Sequence, residues 1–210
     1  MTADARRTPD ARRTPDALRT PDDSRTDDDP RTDNAPRVDG VLRIRPAEPG
    51  DAAALALALD RNRAHMAATE PYRDPDRYYT PEGQAERLAD GGVRWFVVDG
   101  ERIVGAAILS GIVLGPFRSG SLGYWVDGEY VGRGIASSLV EHVLRASRDE
   151  LGLHRVEAST LLDNVASQRV LEKSGFRRIG TAPGYLHIAG AWRDHHLFQR
   201  LLHDDPPPRA

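Results

Sequence analysis

The chain has 210 residues, with 29 Lys and Arg against 32 Asp and Glu, and no cysteine. That length suits one domain with an appendage, and the missing cysteine excludes a disulfide scaffold, a cysteine-ligated zinc and a thiol nucleophile. A net charge of -3 argues against a bulk nucleic-acid binder, and no apolar run reaches the ~18 residues of a membrane-spanning helix. The N-terminus also lacks an apolar signal core, so the expected location is cytoplasmic.

Residues 1–37 stand apart. They hold eight Arg, nine Asp and five Pro, but only seven apolar residues. ARRTPD at 5–10 recurs at 11–16, and ALRTPD follows at 17–22. A six-residue period can build a β-helix, but only with apolar residues to stack inward. Ala and one Leu do not offset roughly 1–2 kcal/mol of backbone entropy per residue. The expectation is a disordered arm over 1–38, a folded domain over 39–203 and a disordered tail over 204–210.

Within the domain, VLRIR at 41–45 alternates as a half-buried strand does. Asp51 is placed to cap a helix carrying Leu55, Leu57, Leu59 and Met66. Residues 71–80 read as a loop, and Pro81 opens a second helix ending at Gly91-Gly92. WFVVD at 95–99 and IVGAAIL at 103–109 flank Asp99-Gly100-Glu101, a hairpin turn. SLGYWV at 121–126 is a third strand of this group. Gly132 to Glu150 is helical, with Ile135, Leu139, Val143 and Leu144 on one face. HRVEAST at 154–160 is a strand, Asn164 to Ser174 a helix stopped by Gly175, and two final strands meet at Gly190. Strands alternating with helices imply parallel pairing, and the hairpins imply antiparallel pairing, so the fold class is a mixed α/β sheet.

The most informative stretch is YWVDGEYVGRGIA, 124–136. A strand ends, a loop passes, and Gly132 and Gly134 sit at the start of an amphipathic helix. Unpaired N–H groups at a helix N-terminus meet anions well, and glycine lets the chain approach a pyrophosphate closely. It is neither a Walker loop nor a Rossmann fingerprint, lacking GK[ST] and the third spaced glycine. DNVASQRVLEKSGF at 163–176 is the second motif.

With these two motifs in order, the sequence resembles the GNAT acetyltransferases, the acetyl-CoA-dependent N-acetyltransferase superfamily. The family's Arg/Gln-x-x-Gly-x-Gly/Ala pattern falls on Val131, Gly134 and Ala136, with Val131 where Arg or Gln is usual. Asn62 to His65, Glu70-Pro71, Gly123-Tyr124, Ser167 and the stretch from Gly184 to Asp194 are similar to the RimJ/RimL type, the ribosomal-protein-alanine N-acetyltransferases. The resemblance covers about 40–203. It implies a mixed six- to seven-stranded sheet, about four flanking helices and a splayed pair of parallel strands.

The resemblance also implies direct acetyl transfer from acetyl-CoA to a primary amine, most simply a protein N-terminus. It sets the pantetheine arm along Trp125 and Val126. The pyrophosphate falls on Val131, Gly132, Arg133, Gly134, Ile135 and Ala136, with Asn164 beside the cofactor. Many members use a Tyr as proton donor four residues before the Gly-Phe pair, where this chain has Leu171. The RimL-type pattern implies Ser167 instead. An acidic residue can precede the position of Tyr185, but here Gly184 stands there, so Glu70 is the substitute base or amine-binding group. Tyr124, His65, Tyr185 and Trp192 are the implied acceptor-site residues.

His195 and His196 are adjacent and face opposite sides of a strand, so no metal site is expected. No direct nucleic-acid or membrane partner is expected either, and the protein is expected to be a monomer or homodimer. A small-molecule or antibiotic amine acetyltransferase and a non-catalytic acyl-CoA sensor remain alternatives.

Overall fold

A computed structural model describes residues 37–38 and 42–206. The repeats expected to be disordered, and the end of the tail at 207–210, lie outside the described residues. The strands are β1 (Arg37–Val38), β2 (Leu42–Pro46), β3 (Val93–Asp99), β4 (Arg102–Val113), β5 (Ser119–Val126), β6 (Arg155–Leu161), β7 (Arg177–Ile188) and β8 (Ala191–Leu201). They form one sheet in the order β1-β2-β3-β4-β5-β6-β8-β7. All neighbours pair antiparallel except β5 and β6, which are parallel. Seven strands match the expected count. β1 is an addition, in which Arg37 and Val38 pair with Arg43 and Leu42.

The helices are α1 (Ala52–Arg61), α2 (Arg63–Met66), α3 (Pro75–Tyr78), α4 (Pro81–Ala89), α5 (Ile135–Asp149) and α6 (Val165–Lys173). The first expected helix is thus two pieces broken at Asn62. The buried Asn62 side chain donates to the Ala58 carbonyl at 2.8 Å and accepts from the Gly128 N–H at 2.9 Å. Asp51 precedes α1 but does not cap it with its side chain. Its carboxylate instead takes two hydrogen bonds from Arg45 and one from the Glu48 N–H. Leu57, expected in the core, is 68% exposed, because α1 turns it away from the sheet. The loop expected at 71–80 contains α3, capped by Asp74 with Pro75 in its first turn. No helix among the described residues is long and apolar enough to cross a membrane.

Two cores lie on opposite faces of the sheet. On one face α5 buries Ile135, Leu139, Val140 and Val143 against Trp95, Val97, Ala107, Leu109 and Val156. On the other, Leu55, Leu59, Met66 and Tyr78 pack against Phe96, Val98, Ile103 and Ala106. The period-two alternation of β3 and β4 supplies both faces. Gly175 follows α6 with φ +76°, and an added Cβ would run into the Arg200 guanidinium. Only glycine suits that turn.

Candidate active site

Four registered pairs join β5 and β6, from Ser119↔Arg155 to Leu122↔Ala158, and pairing then stops. Beyond it, Gly123–Val126 keep β4 on one side, and Ser159–Leu161 keep β8 on the other. The two strands therefore part. The Asp127 N–H donates to the Val104 carbonyl in the same register, so Trp125 spends its backbone groups on Ala106, and those of Tyr124 and Val126 face the open edge. Gly123 has no side chain at the parting, and a Cβ there would touch only Ile108.

A cavity of about 460 Å³ opens at this gap and reaches both faces of the sheet. Its lining includes Gly123, Tyr124 and Trp125 from β5, Ser159, Thr160 and Leu161 from β6, and Asn164 and Ser167 from α6. Glu70, Arg73, Tyr78, Arg87 and Arg94 line the end toward α4. Thr160 Oγ1 is buried there with no hydrogen-bond partner.

Beside the gap, β5 runs into the head of α5. Val131 is extended, and Gly132 and Gly134 have φ +79° and +77°. Gly134 is the N-cap of α5, and residues 131–134 are exposed. An added Cβ at either glycine would meet nothing within 4 Å, so the space above the loop is open. The first turn of the 15-residue helix directs its unpaired N–H groups toward that space, the geometry that meets a phosphate. Arg133 leans back over Tyr130, 4.8 Å from its ring centroid.

Asp127 holds this loop to the body of the protein. Arg61 donates to it at 2.7 and 3.0 Å, Arg102 at 3.2 Å, and the Glu129 N–H at 3.0 Å. Burial alone would raise its pKa. The pair with Arg61, the Glu129 N–H, Asn62 and Arg102 outweigh burial and bring it down to about 2. A carboxylate depressed in the fold stabilises it above the unfolded pKa of about 3.9, and that contribution is lost as pH falls through about 2. Asp127→Asn is therefore expected to cost about 2 kcal/mol at pH 7 and to weaken acid sensitivity between pH 4 and pH 2. Urea unfolding at both ends of that window measures it; equal losses for both proteins on acidification would contradict the assignment.

Tyr124 and Ser167 meet in the cavity, with Oη and Oγ 2.7 Å apart. Tyr124 Oη also lies 3.3 Å from the Ser167 carbonyl, to which it can donate. Asn164 caps α6 by accepting from the Ser167 N–H at 3.1 Å, which fixes Ser167 at the gap. Burial pushes the Tyr124 hydroxyl up to about 12, against a smaller opposing effect of Ser167. Leu171 is fully buried and offers no donor. The phenol at this site comes from the sheet rather than from α6.

Glu70 lines the cavity, where it is the one acidic side chain. Its loop is pinned to the last hairpin by the Pro71↔Ile188 bridge and a 2.8 Å bond from the Tyr72 N–H to the His187 carbonyl. Burial first, then the Glu70 carboxylate, raise the pKa of the Tyr78 hydroxyl. His65 is not brought to the cavity; it is exposed and packs against Gly128. Tyr185 packs against His195, which lines the cavity; Trp192 packs against His187, on the hairpin face opposite the lining residues Leu186 and Ile188, so Trp192 is not brought to the cavity.

Several lining groups carry no motif in the sequence. Arg73, Arg87 and Arg94 come from a loop, a helix and a strand. His195 is buried, while His196 faces the other side and meets Thr181. His195 Nδ1 must donate to the Arg193 carbonyl 3.0 Å away, which leaves Nε2 as an acceptor in the neutral ring. The strand alternation of 195 and 196 was the one signal for this.

Comparison with known proteins agrees with this geometry. Residues 42–177 match the acetyltransferase (GNAT) domain family. The chain is 33% identical over 172 residues to the probable N-acetyltransferase YjcK of Bacillus subtilis (strain 168), covering 77% of this chain and 94% of that protein. The crystal structure of ribosomal-protein-S5-alanine acetyltransferase from Vibrio fischeri superposes with a TM-score of 0.75 at 34% identity, over 80% of this chain and 96% of that one. Mycobacterium smegmatis RimJ in complex with CoA-disulfide gives a TM-score of 0.70 at 27% identity, over 76% and 81%. The parted parallel strands, the glycine loop and these matches converge: the chain belongs to the GNAT acetyltransferase family and is an N-acetyltransferase.

Proposed function

We propose that this enzyme transfers acetyl from acetyl-CoA to the α-amine of a protein N-terminus; its similarity to proteins named ribosomal-protein-alanine acetyltransferases supports a protein acceptor. The observation that carries the reading is the gap between β5 and β6, with the Tyr124–Ser167 pair on one side of it and the Glu70 loop on the other. The residues present fit acetyl-CoA. Open N–H groups from Val131 to Ala136 suit its pyrophosphate. Open backbone at Tyr124 and Val126 and the orphaned Thr160 hydroxyl suit the amides of its arm. Asn164 holds the head of α6 against it.

When bound, acetyl-CoA supplies the thioester; the protein supplies orientation and protons. An N-terminal amine has a pKa of about 8, against about 10.4 for lysine, so it needs only a weak base near neutrality. Glu70 accepts the proton or binds the amine. Tyr124 and Ser167 form one hydroxyl donor unit that meets the developing thiolate. Tyr124 stays protonated because its pKa lies near 12.

Thiol release measured with peptides tests the reading. A peptide with a free N-terminal alanine is expected to be acetylated at least ~100-fold faster than the same peptide with a blocked α-amine and one lysine. Preference for lysine or for a small amine, or acetyl-CoA binding without transfer to any amine, would overturn it.

A further inference from the structure

Arg73, Arg87 and Arg94 converge on the acceptor end of the cavity, facing a single carboxylate, Glu70. Arg73 and Arg87 lie 5.5 and 5.1 Å from the centroid of the Tyr78 ring, which holds both guanidiniums at the wall. Arg94 donates to the Asp90 carbonyl at 3.0 Å. Among the described residues none of the three is within ion-pair distance of a carboxylate, and Arg73 Nε is buried without a partner. Outside the cavity, Arg45, Arg61 and Arg77 each pair with an acid. Burial and then the neighbouring Arg87 charge lower the pKa of Arg94, with Asp90 opposing. Like charges held together in a partly dry cleft focus a positive potential, and an anion relieves it.

The sheet register places this charge relative to the chemistry. Arg94 pairs with Ile108, and Ile108 pairs with Gly123 at the gap. Two strand spacings of about 4.8 Å separate Arg94 from the gap, roughly 10 Å. All three positions face the acceptor side. An extended peptide advances about 3.3 Å per residue, so a side chain of the second or third residue reaches the arginines while the α-amine sits at the gap.

We infer that the acceptor carries a carboxylate within its first three residues, gripped by Arg73, Arg87 and Arg94 while Glu70 faces its amine. This rests on the reading of an α-amine acceptor and adds the class of sequence that follows it. The same chemistry has a second source, the α-carboxylate of a free amino acid, which would sit closer to the gap.

The test uses the full-length protein and matched peptides beginning Ala-Glu, Ala-Gln and Ala-Lys, with free amino acids and their amides alongside. A charge-assisted contact predicts kcat/KM about ten- to a hundredfold higher for Ala-Glu than for Ala-Gln, and lowest for Ala-Lys. Added salt should narrow the ratio. Arg87→Gln should narrow the Glu-to-Gln ratio, whereas a purely structural loss would lower both rates alike. Faster transfer to free amino acids than to their amides would support the carboxylate grip and assign it to the α-carboxylate. Equal rates on all three peptides, with no dependence on free carboxylates, would overturn the inference while leaving α-amine transfer standing. No transfer to any peptide would instead overturn the reading beneath it.

Discussion

Gly134→Glu is expected to reduce affinity for acetyl-CoA by more than ~100-fold while leaving the fold intact. Two properties of the position give this result. Its φ of +77° disfavours any side chain, at a cost of about 1 kcal/mol. Its Cβ would enter open space, so no protein atom is displaced. A carboxylate at a helix N-terminus is favourable for the helix itself. The penalty therefore falls on the ligand. At about 4–5 Å and an effective dielectric near 20, two like charges repel by roughly 3–4 kcal/mol. Gly134→Ala carries the conformational cost without the charge, and is expected to weaken binding by less than ~10-fold. Calorimetric titration measures both, with thermal melts to establish folding. Unchanged affinity in a folded Gly134→Glu protein would refute the phosphate loop.

Ser167→Ala and Tyr124→Phe are each expected to lower kcat by about ten- to a hundredfold, with a much smaller change in acetyl-CoA affinity. Their oxygens are 2.7 Å apart, so they are expected to act as one donor unit. The double variant should be little worse than the worse single one. The pH profile separates this from a packing effect. Rate should rise as the amine deprotonates near pH ~8. It should then hold, because Tyr124 keeps its proton up to about 12. A fall beginning near pH ~10, the range of an ordinary tyrosine, would contradict a role for buried Tyr124. Unchanged kcat in both single variants would remove the pair from the reaction.

The sequence displays best what local physics determines. Asp99-Gly100 makes its hairpin, Pro81 and Thr80 start α4, and Asn164 caps α6, because each needs only neighbouring residues. The glycine loop was legible for the same reason. Leu57 and the split of α1 at Asn62 were not, since Asn62 is fixed by Gly128, 66 residues away. His65 was read into the acceptor site, but the same break turns it onto Gly128. The arginine wall left no local trace. Arg73, Arg87 and Arg94 share no spacing, and only the packing of α3, α4 and β3 draws them together. Ser167 stood out by motif, yet its partner Tyr124 is 43 residues distant and comes from another element.

In the proposed complex, the parted strands and the head of α5 together hold acetyl-CoA with its thioester at the Tyr124–Ser167 pair. A crystal structure of the protein with bound coenzyme A is the decisive measurement. The expected density has pyrophosphate oxygens within hydrogen-bonding distance of N–H groups between Val131 and Ala136. The arm should run along Trp125 and Val126, and the sulfur should point at Tyr124 and Ser167. Nucleotide bound away from the head of α5, or an arm that does not enter the gap between β5 and β6, would contradict the account.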